Sequence, residues 1–175
     1  QKTAYEIKEC DWSSDVCSSD LIPIIDGKVA AGEYGKLFNI DLQERLAFFV
    51  TAEKPIKAGE IYEVPTKINK YACERIALVS LGKASDQELR TAGAAIGRKL
   101  RNKNETVFLA LTLKSNQFKS LLISANLGNF QWSLKREQKS SITQVCVPTD
   151  DGVVKSAQVI SDAVNRAREI GRAHV

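Results

Sequence analysis

The chain has 175 residues, of which 25 are Lys or Arg and 21 are Asp or Glu, for a net charge of +4. That length suffices for one domain with a proper core, and no apolar run is long enough to span a membrane. A single histidine, and four cysteines without paired spacing, speak against a zinc centre or a disulfide framework.

The N-terminal stretch Asp11–Leu21 has no apolar period and no turn logic. It resembles the translation of a common short-read sequencing adapter. Gln1–Ile7 is similar to the primer segment upstream of that adapter, and Lys8, Glu9 and Cys10 fall where a sample index sits. At the other end, Ile170–Val175 is similar to the reverse complement of the same adapter. On this reading residues 1–21 and 169–175 are adapter-derived and belong to no domain, and the natural protein is residues 22–168. Setting the ends aside removes Lys2, Lys8 and Arg172 against Glu6, Glu9, Asp11, Asp15, Asp20 and Glu169, so the remainder is more basic. His174, Trp12, Cys10 and Cys17 go with them. Cys73 and Cys146 remain, and both read as small core residues.

Ile22–Ile25 reads as the end of a buried strand, followed by a turn at Asp26-Gly27. Residues 30–39 are Gly-rich and carry no clear pattern. Asp41 caps a helix from Leu42 onward, with Leu42, Leu46, Phe49 and Val50 on one face. Pro55 and Gly59 close that segment, and Ile61–Val64 is a short strand ended by Pro65. Arg75–Leu81 is an almost unbroken apolar run, short enough to be a strand buried on both faces. Gly82-Lys83 turns the chain, and Ser85 with Glu88 three residues on forms a capping box. Behind it Leu89, Ala92, Gly93, Ile96 and Leu100 recur at helical spacing, with Gly93 and Gly97 letting the helix lie close on a sheet. Val107–Leu113 is the next strand, as a parallel sheet requires. Phe118, Leu121, Leu122 and Ala125 mark a helix that stops near Gly128, and residues 133–141 read as a polar, basic loop. Ile142–Val147 is a strand ended by Pro148. Asp151 caps a last helix with Val154, Ala157, Ile160, Val164 and Ala167 on its buried face. The pattern is α/β: a three-layer domain with a mixed, mostly parallel sheet and helices on both faces.

Chemistry is sparse. Gly82-Lys83 after a strand resembles a phosphate loop but lacks the second glycine and the Ser or Thr directly after Lys, so it reads as a plain turn. Gly93 and Gly97 are packing residues. The pair Asp150-Asp151, beside Gly152, reads as helix capping rather than acid–base catalysis. No histidine base is available to the serines of the natural part. Lys135, Arg136 and Lys139, near Phe130 and Trp132, form a basic loop that reads as solvated surface, with nucleic-acid contact as the alternative. No catalytic, cofactor-binding or metal-ligating residue is assigned.

Three stretches, in order, resemble the N-terminal domain of the leucyl aminopeptidase family (cytosol aminopeptidase, peptidase family M17). Arg75-Ile-Ala-Leu-Val-Ser-Leu-Gly-Lys83 with Leu89-Arg-Thr-Ala-Gly-Ala-Ala95 is similar to the family's apolar strand, Leu-Gly-Lys turn and Leu-Arg-x-Ala helix. Leu127-Gly-Asn-Phe-Gln-Trp132 resembles its Leu-Gly-x-Tyr-x-Phe segment, with Phe130 in place of Tyr and Ile123-Ser124 in place of an upstream Glu-Gly. Val159–Glu169 resembles the helix leading into the catalytic domain. The resemblance implies a macro-like domain, with the catalytic domain absent from this chain. It implies two divalent ions, zinc or manganese, in the parent enzyme and none in this fragment, which would be inactive. The family's V-G-K-G-x-x-F-D-x-G-G and N-T-D-A-E-G-R-L type motifs do not occur here. Implied partners are the chain's own catalytic domain, peptide substrates and a homo-hexameric assembly in the cytoplasm, with DNA a secondary partner and no membrane. The alternative reading is a stand-alone macro-like module for a nucleotide-type ligand or nucleic acid.

Overall fold

In the computed structural model, residues 5–9, 19–30, 41–49, 56–64, 75–101, 103, 106–111, 113–130, 143–147 and 149–173 are described. They form one seven-stranded sheet and four helices. The strands are β1 (Tyr5–Glu9), β2 (Ser19–Ile25), β3 (Lys28–Val29), β4 (Ile61–Val64), β5 (Arg75–Ser80), β6 (Thr106–Leu109) and β7 (Thr143–Val147). The helices are α1 (Leu42–Ala47), α2 (Asp86–Leu100), α3 (Ser115–Asn129) and α4 (Asp151–Ala173). The strand order is β1-β7-β6-β2-β5-β4, with β3 hairpinned onto β2. β1, β7, β6, β2 and β5 run parallel, while β3 and β4 are antiparallel to their neighbours. The sheet is mixed and mostly parallel.

β5 shows why its sequence is apolar throughout. Ile76, Ala77, Leu78, Val79 and Ser80 are all buried, because the pleat sends alternate side chains into two separate cores. Ile76 and Leu78 join Ile22, Ile24, Phe108, Leu42 and Leu46 on the α1 side. Ala77 and Val79 join Leu89, Ile96, Leu121, Leu122, Val154 and Ala157 on the side of α2, α3 and α4. Helices therefore cover both faces, as the sequence pattern predicts.

β2 lies between β5 and β6, pairing Ser19–Ile24 with Arg75–Ser80 and Ser19–Leu21 with Val107–Leu109. The strand thus starts before Ile22, and Leu21 is only 3% exposed. The sheet also takes in Tyr5–Glu9, opposite Thr143–Val147. Pro23 is tolerated within β2 because the β6 ladder has already ended at Leu21. Its carbonyl accepts instead from Ala30 N–H at 2.8 Å, beyond the last pair of the short β2–β3 hairpin, so only one bond of that pair is made.

Asp41 caps α1 as predicted, its Oδ1 accepting from Gln43 N–H at 2.9 Å and Glu44 N–H at 3.0 Å. Leu42 and Leu46 are buried, but Phe49 is 42% exposed and rests its ring 5.3 Å from that of Tyr62. Val50 lies outside the described residues. β6 is shorter than the apolar run Val107–Leu113 suggests. Leu111 N–H turns back onto Leu109 C=O at 2.8 Å, so the ladder ends although Ala110 and Leu111 remain buried.

Two expectations about helix faces need correction. Gly93 and Gly97 bring α2 close to α3, not to the sheet. A Cβ on Gly93 would lie 2.3 Å from Leu121 O, and one on Gly128 of α3 would lie 2.5 Å from Ala94 O. In α4, Val154, Ala157 and Ser161 are buried, whereas Ile160, Val164 and Ala167 are exposed. On the buried face Ser161 Oγ accepts from Asn126 of α3 at 2.8 Å.

Candidate functional site

In an open parallel sheet the strands' carboxyl ends form the natural ligand crevice, at the point where the strand order reverses. Here the reversal is at β2, which has β5 on one side and β6 on the other. Three segments meet at this end: Asp26-Gly27 after β2, Gly82–Ser85 after β5, and Ala110-Leu111 after β6. They are tied together. Asp26 N–H donates to Gly82 O at 2.7 Å, and Gln117 of α3 donates to Ala84 O at 3.2 Å.

The Gly82-Lys83 turn does resemble an anion cradle, but its occupant is the chain's own Glu88. Ser85 Oγ donates to Glu88 Oε2 at 2.6 Å and Ser85 N–H reaches the same oxygen at 3.1 Å. Glu88 N–H closes the capping box on Ser85 Oγ at 3.4 Å. The Ser85 hydroxyl, then the backbone N–H groups of Lys83 and Ser85, hold the Glu88 carboxyl below the usual carboxylate range. Gly82 has φ +59°, and a Cβ there would stand 2.3 Å from Glu88 Oε1. A Cβ there would push the carboxylate aside, and the positive φ favours glycine. The donors that would grip a phosphate are already engaged.

Three other carboxylates at this end, Asp150, Asp151 and Asp86, are also committed. Asp150 Oδ1 accepts from Gly152 N–H at 2.7 Å, while Asp151 pairs with Lys155 one turn on. The paired aspartates are therefore a helix start, with Asp150 rather than Asp151 as the capping side chain. Asp86 bonds Arg90 at 2.6 Å and Ser120 Oγ at 2.5 Å. Among the described residues no group of three or more His, Cys, Asp or Glu side chains is placed to hold a metal ion. These residues do not fit a divalent centre.

At the β4 edge, Tyr62 OH donates to Glu60 Oε2 at 2.6 Å; burial, then this carboxylate, pushes the phenol up to about 12. At the opposite end of the helical layer, Arg101 Nη2 donates to Gly128 O at 2.6 Å and Arg168 Nη1 to Leu127 O at 3.2 Å. Two cations from different helices thus cover the negative C-terminus of α3. The sequence reading missed this pair, because the contacts link residues 27 and 41 positions apart. Trp132, Lys135, Arg136, Lys139, Cys73, Cys10, Cys17 and His174 lie outside the described residues. Cys146 pairs with Phe108 in the β6–β7 ladder. No helix among the described residues is long and apolar enough to cross a membrane.

The two-faced mixed sheet, its helical cover and its reversal point at β2 define a macro-like α/β domain. Residues 25–139 match the N-terminal domain of the cytosol aminopeptidase family, and the chain belongs to that family. A mutant of tomato leucine aminopeptidase is similar in structure, with TM-score 0.61 and 16% identity over 93% of this chain and 37% of that one. The bottromycin maturation enzyme BotP in complex with Mn aligns with TM-score 0.55 and 18% identity, over 85% of this chain and 30% of that one. The macrodomain of Mycobacterium tuberculosis DarG aligns with TM-score 0.52 and 12% identity, over 83% of this chain and 99% of that one. At these identities the likeness concerns the fold. The chain spans about a third of the two enzymes' length. No curated protein matches the sequence.

Proposed function

We propose that this chain is the non-catalytic N-terminal domain of a metal-dependent leucyl aminopeptidase, which removes N-terminal amino acids from peptides. The observation that carries the reading is the family match over residues 25–139. The alignment with 37% of the tomato enzyme supports it, since a domain accounts for that share of a larger chain. On this reading the domain is residues 22–168, adapter-derived residues 1–21 and 169–175 flank it, and a catalytic domain belongs after it. Two divalent ions, zinc or manganese, belong to that second domain; the manganese named with BotP supports this assignment. The parent acts on peptides in the cytoplasm as a homo-hexamer, and this domain contributes assembly or access rather than chemistry.

The test has two arms. Purified chain incubated with Mn or Zn and a leucine anilide is expected to match the blank. Metal-dependent turnover that survives repurification and vanishes in Asp150→Ala or Asp151→Ala would overturn the reading. The parent gene, read beyond residue 168, is expected to encode the two catalytic motifs that this chain lacks.

A second reading, a macro-like module for a nucleotide-type ligand, is favoured by the alignment over 99% of the DarG macrodomain. Glu88 weighs against it, because a phosphate entering the Gly82–Ser85 turn would have to displace a bound carboxylate. Calorimetry with ADP-ribose is expected to give no heat of binding. Saturable uptake would favour the second reading.

A further inference from the structure

The face that α4 turns toward α3 is not its most apolar one. Val154, Ala157, Ser161, Asn165 and Arg168 share that face at spacings of three and four. Bulkier apolar residues stand on its other faces: Val159 is 69% exposed, Ile160 39% and Val164 37%. If apolar burial alone decided, a different phase of the helix would face the domain.

Polar matching accounts for the phase observed. Asn126 of α3, buried, donates through Nδ2 to Ser161 Oγ at 2.8 Å and to Gln158 Oε1 at 3.4 Å. Ser161 is 0% exposed, and its hydroxyl bonds back to Ala157 O at 2.8 Å. Gln158 is itself held by Asp162 Oδ1 at 2.9 Å. Turning α4 by one residue would bring Ile160 or Asp162 to Asn126 and break this set, leaving a buried amide without acceptors. Beyond Ser161 the matching weakens: the Asn165 carbonyl oxygen is buried with no donor among the described residues. Arg168 then restores contact, through Leu127 O and with its guanidinium 5.4 Å from the Phe130 ring centroid.

We propose that the α3–α4 seam is a rotational lock, in which Asn126 and Ser161 select the helical phase of α4 and Arg168 latches its distal half. The lock fixes which face of α4, and hence which apolar stripe, the domain presents outward. This inference does not depend on the aminopeptidase reading.

The test replaces the polar pair by an apolar one, Asn126→Leu with Ser161→Ala, so that neither member of the pair is left facing the other's loss. Spin labels at Arg98→Cys and Arg166→Cys, with the four native cysteines replaced by alanine, report the orientation of α4. The parent is expected to give one narrow distance distribution, and the double variant a broad or doubled one. An unchanged narrow distribution would overturn the lock. Should the double variant fail to fold, Ser161→Ala and Arg168→Ala serve singly, read by amide hydrogen exchange. Each is expected to speed exchange of residues 163–170 by about fivefold or more, while α2 stays protected. Exchange in 163–170 that matches the parent in both variants would equally overturn the proposal.

Discussion

Gly97 and Ala125 meet more closely than any pair bearing side chains on both helices could. A Cβ on Gly97 would stand 2.0 Å from the Ala125 carbonyl oxygen and 2.8 Å from Asn129 N. Both obstacles are backbone, so the helices themselves would have to part. Gly97→Ala should therefore destabilise by an amount at or above the top of the ~1–3 kcal/mol range for overpacked cores. That outweighs the roughly 1 kcal/mol gained in helix propensity. Urea denaturation decides it, and an unchanged midpoint would show that the interhelical contact is looser than described.

The Ser85–Glu88 box predicts a specific acid response. Because Glu88 titrates lower in the folded state, its contribution is present above the ordinary carboxylate range and is lost as pH falls through the lowered value. Glu88→Gln should flatten the acid limb of a melting-temperature profile. Ser85→Ala should do the same and also cost about 1 kcal/mol at neutral pH through the lost cap.

Tyr62 makes the opposite, alkaline prediction. Its phenol is raised to about 12, so the protonated form is favoured by folding. Stability from this group is whole below the ordinary tyrosine value of about 10 and disappears as pH climbs through 12. Spectrophotometric titration should find one late tyrosine, absent in Tyr62→Phe. Glu60→Gln should bring it back toward the others, though not fully, since burial is the larger cause.

Leu21 tests where the domain starts. It pairs with Ala77 on one side and Leu109 on the other, and is 3% exposed. Leu21→Ala should cost about 2–5 kcal/mol, as for other buried leucines. An unchanged melting temperature would instead place the start of the domain at Ile22, as the adapter resemblance implies.

The elements whose signals are local were legible in the sequence. Asp41, Ser85 and the Leu89–Leu100 stripe announce helix starts and faces because their partners lie within one turn. The doubly buried β5 was equally readable from its apolar run. The outer face of α4 was not, since Ile160, Val164 and Ala167 carry the stronger helical pattern. The contact that accompanies their outward position is the bond from Asn126 to Ser161, thirty-five positions apart. The end of β6 was missed for a related reason: Leu111 is buried yet lies past the last ladder bond, from Ala110 N–H to Leu21 O, and periodicity cannot separate those two conditions. At the Gly82-Lys83 turn the sequence reading of a plain turn agrees with the structure, and Glu88 supplies the reason.

The position of β2 between β5 and β6 also constrains how the chain reaches this arrangement. β5, α2 and β6 are consecutive, yet the two strands cannot pair with each other. The gap between them must be kept for a strand made much earlier in synthesis. Nucleation on α2 and α3 is local and fast, whereas seating β2 requires closing the long loop from Ile25 to Arg75. Until then two inner strand edges stand open, at the stage when a nascent chain is most exposed to pairing with its neighbours. Dilution and early chaperone capture should therefore raise refolding yield more than any added stability of the helical layer.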